Sequence, residues 1–208
     1  MFDEQTQRLM EAAGVSITPE ILAGLSRFVA HVIEANEAMS LVSSGDVHNL
    51  WTTHIPDALS LIPVVKRLGL EQGRYLDIGS GAGFPGLVLA ISMPTLSVVL
   101  VERSEKKARF LSHVVQEMAL SGIRVVCGEF PQAVSDFAPN FVTARAVEKP
   151  DRVHKSIARF LGADAVFFCQ TAELMPAFAK GYEVELIDDE LGQKKVRRGT
   201  LRLIRRSK

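Results

Sequence analysis

Apolar positions along the chain follow two rhythms. Over the first seventy residues they recur at helical spacing: Ile21, Leu22, Leu25, Phe28, Val29, Val32 and Ile33 fall on one face of a helix. Thr18 is placed to cap that helix, with Pro19 at its first position and Glu20 behind it. Asp46 is placed to cap a further helix through Leu50, His54, Ala58 and Leu61, interrupted or bent near Pro56. From Gly73 onward, short apolar runs alternate with amphipathic stretches. Residues 75–78, 97–102, 123–127, 141–144 and 165–169 read as buried strands. Helices are predicted between them over 87–93, over 150–161, and from Ser104 along the inner face of Ala108, Leu111, Val114, Val115 and Met118 to a stop at Gly122. This alternation argues for an open, mostly parallel sheet. The last two runs, 184–187 and 200–204, have no helix-length segment between them and read as an antiparallel pair closing the sheet edge. Two units follow: a helical segment over 1–70 and a sheet domain over 71–208.

Composition adds little to this. The chain of 208 residues is 47% hydrophobic and 23% charged, as expected of an ordinary globular protein. Its apolar runs fall short of the ~18–20 residues of a membrane span, and the amino terminus is acidic where a signal peptide is basic. Cys127 and Cys169 stand far apart, each ending an apolar run, and are expected to be buried thiols rather than a disulfide or a metal site. A cytoplasmic chain without a metal is the expectation. Charge matters more. Net charge is zero, yet residues 194–208 hold eight basic side chains and no acid. Either this tail meets a polyanion, or it is a solvated edge strand, with Leu201 and Leu203 alternating with Arg202.

The candidate chemistry lies in Asp77-Ile78-Gly79-Ser80-Gly81-Ala82-Gly83-Phe84-Pro85-Gly86, between a strand and a helix. Glycines here let the backbone turn sharply and a ligand approach closely. Asp77 precedes the turn, where a carboxylate can meet a ligand ammonium, directly or through water. Glu102 ends the next strand, where open α/β sheets place the acid that hydrogen-bonds ribose hydroxyls. The run from Gly81 to Gly86 also matches G-x-G-x-x-G, with Glu102 sixteen residues beyond. Three features oppose a dinucleotide. The turn begins at Gly79, Phe84 falls where the third dinucleotide glycine belongs, and an acid before the first glycine repels a pyrophosphate. The pattern fits S-adenosylmethionine better than a nicotinamide or flavin.

Together with His54-Ile55-Pro56-Asp57-Ala58-Leu59, Lys106-Lys107-Ala108-Arg109-Phe110-Leu111 and Ala144-Arg145-Ala146, this loop resembles the RsmG/GidB family of small-subunit (16S) ribosomal RNA guanine-N7 methyltransferases. The resemblance covers nearly the whole chain. It implies a Rossmann-like class I methyltransferase fold: a mostly parallel seven-stranded sheet with an antiparallel C-terminal hairpin and an N-terminal helical segment. It implies that Gly79, Phe84 and Glu102 line the cofactor pocket, with Asp77, Ser80 and Gly81 beside them. Glu129-Phe130-Pro131 would border the adenine through backbone groups and the ring of Phe130. Arg145 would face the methyl-transfer site and also touch the cofactor. Read from its residue type, an arginine just past a strand end can hold a phosphate or guanine edge bidentately, or form a surface salt bridge. Lys106, Lys107, Arg197 and Arg198 would contact RNA phosphates, the partner being 16S ribosomal RNA or the small-subunit particle, met by a monomer. His54 and Asp57, one helical turn apart, can hydrogen-bond each other or the cofactor-loop backbone. The chain departs from the family's pattern at Ser40-Leu41, Glu129, Pro139-Asn140 and Cys169-Gln170-Thr171. Rival readings are a methyltransferase on another RNA, a small molecule or a protein, and a module that binds S-adenosylmethionine without catalysis.

Overall fold

The computed structural model describes residues 4–12, 14–145, 150–170, 175–187 and 199–207. Helix α1 spans Glu4–Ala12 and α2 Pro19–Met39. Thr18 caps α2 by accepting from the Ile21 N–H at 3.3 Å, and Pro19 opens it, as the sequence predicts. The next helix differs from expectation. A short α3, Ser44–Val47, is capped by Ser43 rather than Asp46, whose own N–H donates to the Ser43 hydroxyl at 3.2 Å. A π-helical turn over Leu50–His54 then runs into α4, Ile55–Leu59, and α5, Ile62–Arg67. The expected helix, interrupted near Pro56 as the sequence predicts, is thus four short pieces, with Pro56 and Pro63, which lack a backbone donor, in the first turns of α4 and α5.

Seven strands form one sheet: β1 Arg74–Ile78, β2 Ser97–Glu102, β3 Ile123–Cys127, β4 Phe141–Ala144, β5 Val166–Gln170, β6 Tyr182–Leu186 and β7 Leu201–Arg206. Their order is β3-β2-β1-β4-β5-β7-β6, with β1–β5 parallel and β7 antiparallel to both its neighbours. Helices α6 (Gly86–Ser92), α7 (Glu105–Glu117) and α8 (Pro150–Phe160) make the crossovers. Ser104 caps α7. That helix stops earlier than Gly122 suggested: Ala119 takes φ +52 and Leu120 bonds back to the Val115 carbonyl at 3.0 Å, while Gly122 turns the chain into β3.

Strand β7 corrects the edge-strand alternative. It is inserted between β5 and β6, with Leu201, Leu203 and Ile204 buried, and the true edge is β6. Its basic residues have structural partners. Arg206 donates to the carbonyls of Ala158, Arg159 and Leu161, satisfying the end of α8 where helix carbonyls lack partners. Arg205 pairs with Glu185 at 3.4 Å. The other basic residues expected to meet RNA from this tail, Arg197 and Arg198, lie outside the described residues. Cys169 is buried, but Cys127 is exposed, contrary to expectation, because it ends the edge strand β3.

The amino-terminal helices share one apolar cluster with α6, α7 and a face of the sheet, from Met10 through Phe28, Leu87 and Leu100 to Leu203. Gly24 lets α2 cross α6 closely, since a Cβ there would stand 2.8 Å from Ile91 Cγ2. The opposite sheet face packs against α8 through Leu76, Val142, Ile157 and Phe167. Among the described residues, no helix is long and apolar enough to cross a membrane, and no three His, Cys, Asp or Glu side chains gather as metal ligands.

Candidate active site

Parallel strands deliver their carboxyl ends to one edge, and there the chain encloses a cavity of about 560 Å³. This is within the usual range for a small-molecule site. Strand β1 contributes Ile78 and the loop Gly79, Ser80, Gly81, Ala82 and Phe84; β2 contributes Glu102, with Arg103 following. Gly128, Glu129 and Phe130 come from the end of β3, Arg145 from β4, and Gln170 from β5. Leu41, Val42, Asp46, His54 and Asp57 close the wall from the amino-terminal side, and Arg152, Val153 and Ser156 of α8 close the opposite one.

The loop owes its shape to backbone geometry. Gly79, Gly81 and Gly83 have φ of +71°, +55° and +96°, the left-handed region that favours glycine. Glu102 fastens the turn. Its Oε2 accepts from the Gly81 N–H at 2.9 Å and its Oε1 from the Ser104 N–H at 2.8 Å. Each carboxylate oxygen has further acceptor capacity, so Glu102 can also face a pair of ligand hydroxyls. Phe84 ties the loop to the helical segment: its ring lies 5.1 Å from that of Phe28 and 5.2 Å from that of His54.

Asp77 departs from the role expected of it. It is 1% exposed, does not line the cavity, and lies beneath the loop rather than facing a ligand. The Tyr75 hydroxyl and Thr143 Oγ1 stand 2.7 Å apart, and Thr143 donates to Asp77 Oδ1 at 2.5 Å. Since Thr143 uses its single proton on Asp77, Tyr75 is the donor to Thr143. Asp77 Oδ2 is buried with no hydrogen-bond partner. Burial raises the Asp77 carboxyl above its ordinary 3.8, with the Thr143 hydrogen bond pulling the other way.

The sign of the resulting pH dependence follows. A carboxyl whose folded pKa is raised holds its proton in the folded state after the unfolded chain has lost it, so stability falls as pH rises from 3.8 through the folded value. Asp77→Asn keeps a carbonyl oxygen for Thr143 and carries no charge. The urea midpoint of this variant is expected to fall less between pH 4 and pH 8 than that of the parent chain. An equal fall in both would assign the dependence to another group.

The outer wall holds contacts that spacing along the chain did not predict. His54 and Asp57 each reach a residue distant in the chain or across the wall. His54 Nε2 lies 3.4 Å from Asp46 Oδ1. Asp57, fully buried, accepts from Arg145 Nη1 through Oδ2 and from the Gln170 amide through Oδ1 at 3.0 Å. Arg145 is therefore in the cavity wall, as expected, but as half of a buried ion pair rather than a surface salt bridge. Gln170 was noticed in the sequence only as a departure. Phe130 lines the cavity and stacks edge-on against Phe160 at 5.0 Å, whereas Pro131 is not among the lining residues. Of the lysine pair, Lys107 reaches the cavity. Lys106 instead donates to the Ala38 carbonyl at 2.8 Å, near the end of α2.

Known proteins resemble this chain in sequence and in fold. The model of the GidB family, described as rRNA small subunit methyltransferase G, matches residues 21–175. The ribosomal RNA small subunit methyltransferase G of Sorangium cellulosum is 39% identical over 141 residues, covering 66% of this chain and 59% of that protein. Its namesake in Rhizorhabdus wittichii is 32% identical over 139 residues, covering 67% and 63%. The chain thus spans about three fifths of these relatives' length. Among solved structures, MtNAS in complex with MTA and tNA has a TM-score of 0.64 at 18% identity, over 89% of this chain and 72% of that one. SAH-bound Podospora anserina methyltransferase PaMTH1 has a TM-score of 0.59 at 13% identity, over 88% of each chain. These structures share the Rossmann-like class I methyltransferase fold. With three quarters of its length matched by the family model, and with the glycine loop, Glu102 and Arg145 gathered around one cavity, the chain belongs to the GidB, or rRNA small subunit methyltransferase G, family.

Proposed function

We propose that the chain transfers a methyl group from S-adenosylmethionine to N7 of a guanine in 16S ribosomal RNA. The observation that carries this reading is the convergence of the glycine loop, Glu102, Phe130 and Arg145, each from a different strand end, on one cavity in a member of this family. The cavity suits the cofactor's parts. Gly79, Ser80 and Gly81 line the cavity and would present backbone to the amino-acid end, Glu102 would hold the ribose diol, and Glu129 and Phe130 would border the adenine. Asp77 is tied to β4 through Thr143 and accepts the Ser80 hydroxyl of the loop at its carbonyl.

S-adenosylmethionine supplies an electrophilic methyl group on a sulfonium. N7 of guanine carries an in-plane lone pair and no proton, so the reaction asks for no general base. What the chain contributes is alignment: a fixed floor for the donor, and a wall holding the purine so that nucleophile, methyl carbon and sulfur lie in line. Arg145, on that wall, offers hydrogen bonds to guanine O6 or a neighbouring phosphate. The rim adds Arg103, Lys107 and Arg152. Together with Arg197 and Arg198, these supply the sequence-independent attraction to RNA, and RNA shape with an exposed guanine selects the site. We place the protein in the cytoplasm, acting as a monomer on ribosomal RNA or the small-subunit particle.

The test is methyl transfer to ribosomal RNA from cells lacking this protein, with the product nucleoside identified by mass as 7-methylguanosine. RNA affinity is expected to fall roughly 20- to 50-fold between 50 and 200 mM salt, as three or four phosphate contacts dictate. A flat salt response together with methylation of a small molecule or protein would replace the reading.

A further inference from the structure

The most unusual group in the cavity wall is the carboxylate of Asp57. It lies in the first turn of α4, fully buried, and receives Arg145 from the end of β4 and Gln170 from the end of β5, 88 and 113 residues away. A latch between α4 and the sheet needs no charge. Apolar side chains of the same volume hold two elements together as well as a buried ion pair does, without the cost of taking ions out of water. The apolar neighbours of Asp57 in α4, namely Ile55, Ala58 and Leu59, are themselves fully buried and already provide that packing. The pair is therefore explained by what it does at the cavity surface, where Arg145 and Asp57 both appear.

Methylation of N7 moves positive charge from the donor sulfur to the purine ring: the N7–CH3 bond forms, the S–CH3 bond breaks, and its electron pair stays on sulfur. The purine becomes cationic while the donor becomes neutral. A guanidinium holding the purine stands beside that growing charge, and in a site withdrawn from water its repulsion opposes the reaction. A carboxylate in direct contact removes the net charge and leaves the hydrogen-bonding groups in place. We propose that Asp57, steadied by Gln170, positions Arg145 and cancels its charge, so that the acceptor wall is net neutral toward a purine that becomes cationic. This rests on the reading of the site given above. Gln170 has a defined part in it: its amide occupies Asp57 Oδ1 and directs Oδ2 at Arg145.

Asp57→Asn separates this role from that of a latch. Single-turnover methylation of ribosomal RNA is expected to slow by about 30-fold or more, the effect of an uncompensated charge close to the reacting centre. RNA affinity should stay the same or tighten, because the freed guanidinium attracts phosphate, and S-adenosylmethionine affinity should be unchanged by calorimetry. Tm should fall under either reading, because the pair is broken; a latch alone predicts an unchanged rate per folded molecule, and that result overturns the proposal. So does a rate within about 3-fold of the parent. If Asp57→Asn does not fold, Gln170→Leu decides: it leaves both charges and removes only the second hand on Asp57. A rate loss of roughly 3- to 10-fold with RNA affinity retained supports the proposal, and an unchanged rate overturns it. Should the parent chain itself methylate no ribosomal RNA, the functional reading fails instead, which keeps the two failures apart.

Discussion

Arg145→Ala is expected to lower methyl transfer to ribosomal RNA by about 100- to 1,000-fold per folded molecule while changing S-adenosylmethionine affinity by less than about 3-fold. The split follows from where Arg145 stands. In the proposed site the donor would rest on the glycine loop, Glu102 and the end of β3, whereas Arg145 belongs to the wall shared with Asp57 and Gln170. Removing it takes away an alignment contact, and a reacting group misplaced by about 1 Å loses on the order of 100-fold in rate. It also strands the Asp57 carboxylate, fully buried, without its cationic partner. Breaking a buried pair in this way costs about 3–5 kcal/mol of stability, so Tm must be followed and the rate normalised to folded protein. Arg145→Lys completes the series. It keeps the charge that Asp57 requires but loses the planar fork, so Tm should recover more than the rate does. Equal losses of cofactor affinity and transfer, by calorimetry and a tritium-methyl assay, would place Arg145 on the donor side and sink this prediction.

The second large effect is expected from a single methyl group. Gly86 opens α6 directly behind the loop, and a Cβ there would stand 2.4 Å from Leu100 Cδ2 and 2.6 Å from Asp77 Oδ2. Both neighbours are buried side chains on central strands, and at these distances they or the helix start must shift. Gly86→Ala is therefore expected to push the start of α6 and the loop outward. Overpacking of this kind costs about 1–3 kcal/mol, and the upper end applies because two buried neighbours are hit at once. At roughly 2–4 °C per kcal/mol for a chain of this size, Tm should fall by about 6–12 °C. Cofactor affinity should fall with it, since in the proposed site the donor rests on the displaced loop. Gly162→Ala is the control: a Cβ there meets nothing within 4 Å. Its Tm should match the parent's or exceed it slightly. A Gly86→Ala protein as stable as this control would show that the strand packing yields more than the distances allow.

Much of this molecule is legible in its sequence because the signals are local. Thr18-Pro19 marks the start of α2 through bonds made within one turn. The short apolar runs from Tyr75 to Gln170 mark parallel strands because both faces of those strands are covered, which leaves little room for polar residues. The glycine loop is legible for the same reason. Its glycines answer a demand for positive φ made by the backbone itself, and Glu102 holds a place that strand β2 dictates. Family, fold and the shape of the glycine loop thus follow from residues that act on near neighbours in the chain.

The acceptor side does not, because its contacts join distant residues. Nothing in the spacing of His54 and Asp57 says that one will meet Asp46 and the other Arg145 and Gln170. Local helix geometry points only to a pairing with each other or with the nearby backbone. Strand order is hidden likewise. Both β6 and β7 alternate, and only the sheet decides that β7 lies inside, which turns Arg205 and Arg206 from free basic residues into partners of Glu185 and the end of α8. Asp77 shows the limit most plainly. The sequence places an acid before the first glycine, and the strand's register sends its carboxylate under the loop to Thr143 instead of out toward a ligand. Successive residues on a strand face opposite sides of the sheet, and which side faces the cavity is settled by what packs beneath. The sequence by itself determined the glycine loop and the succession of strands and helices along the chain. Which charges meet across the cavity was decided only when the strand ends converged, because an ion pair is specified by proximity in space and leaves no pattern along the chain.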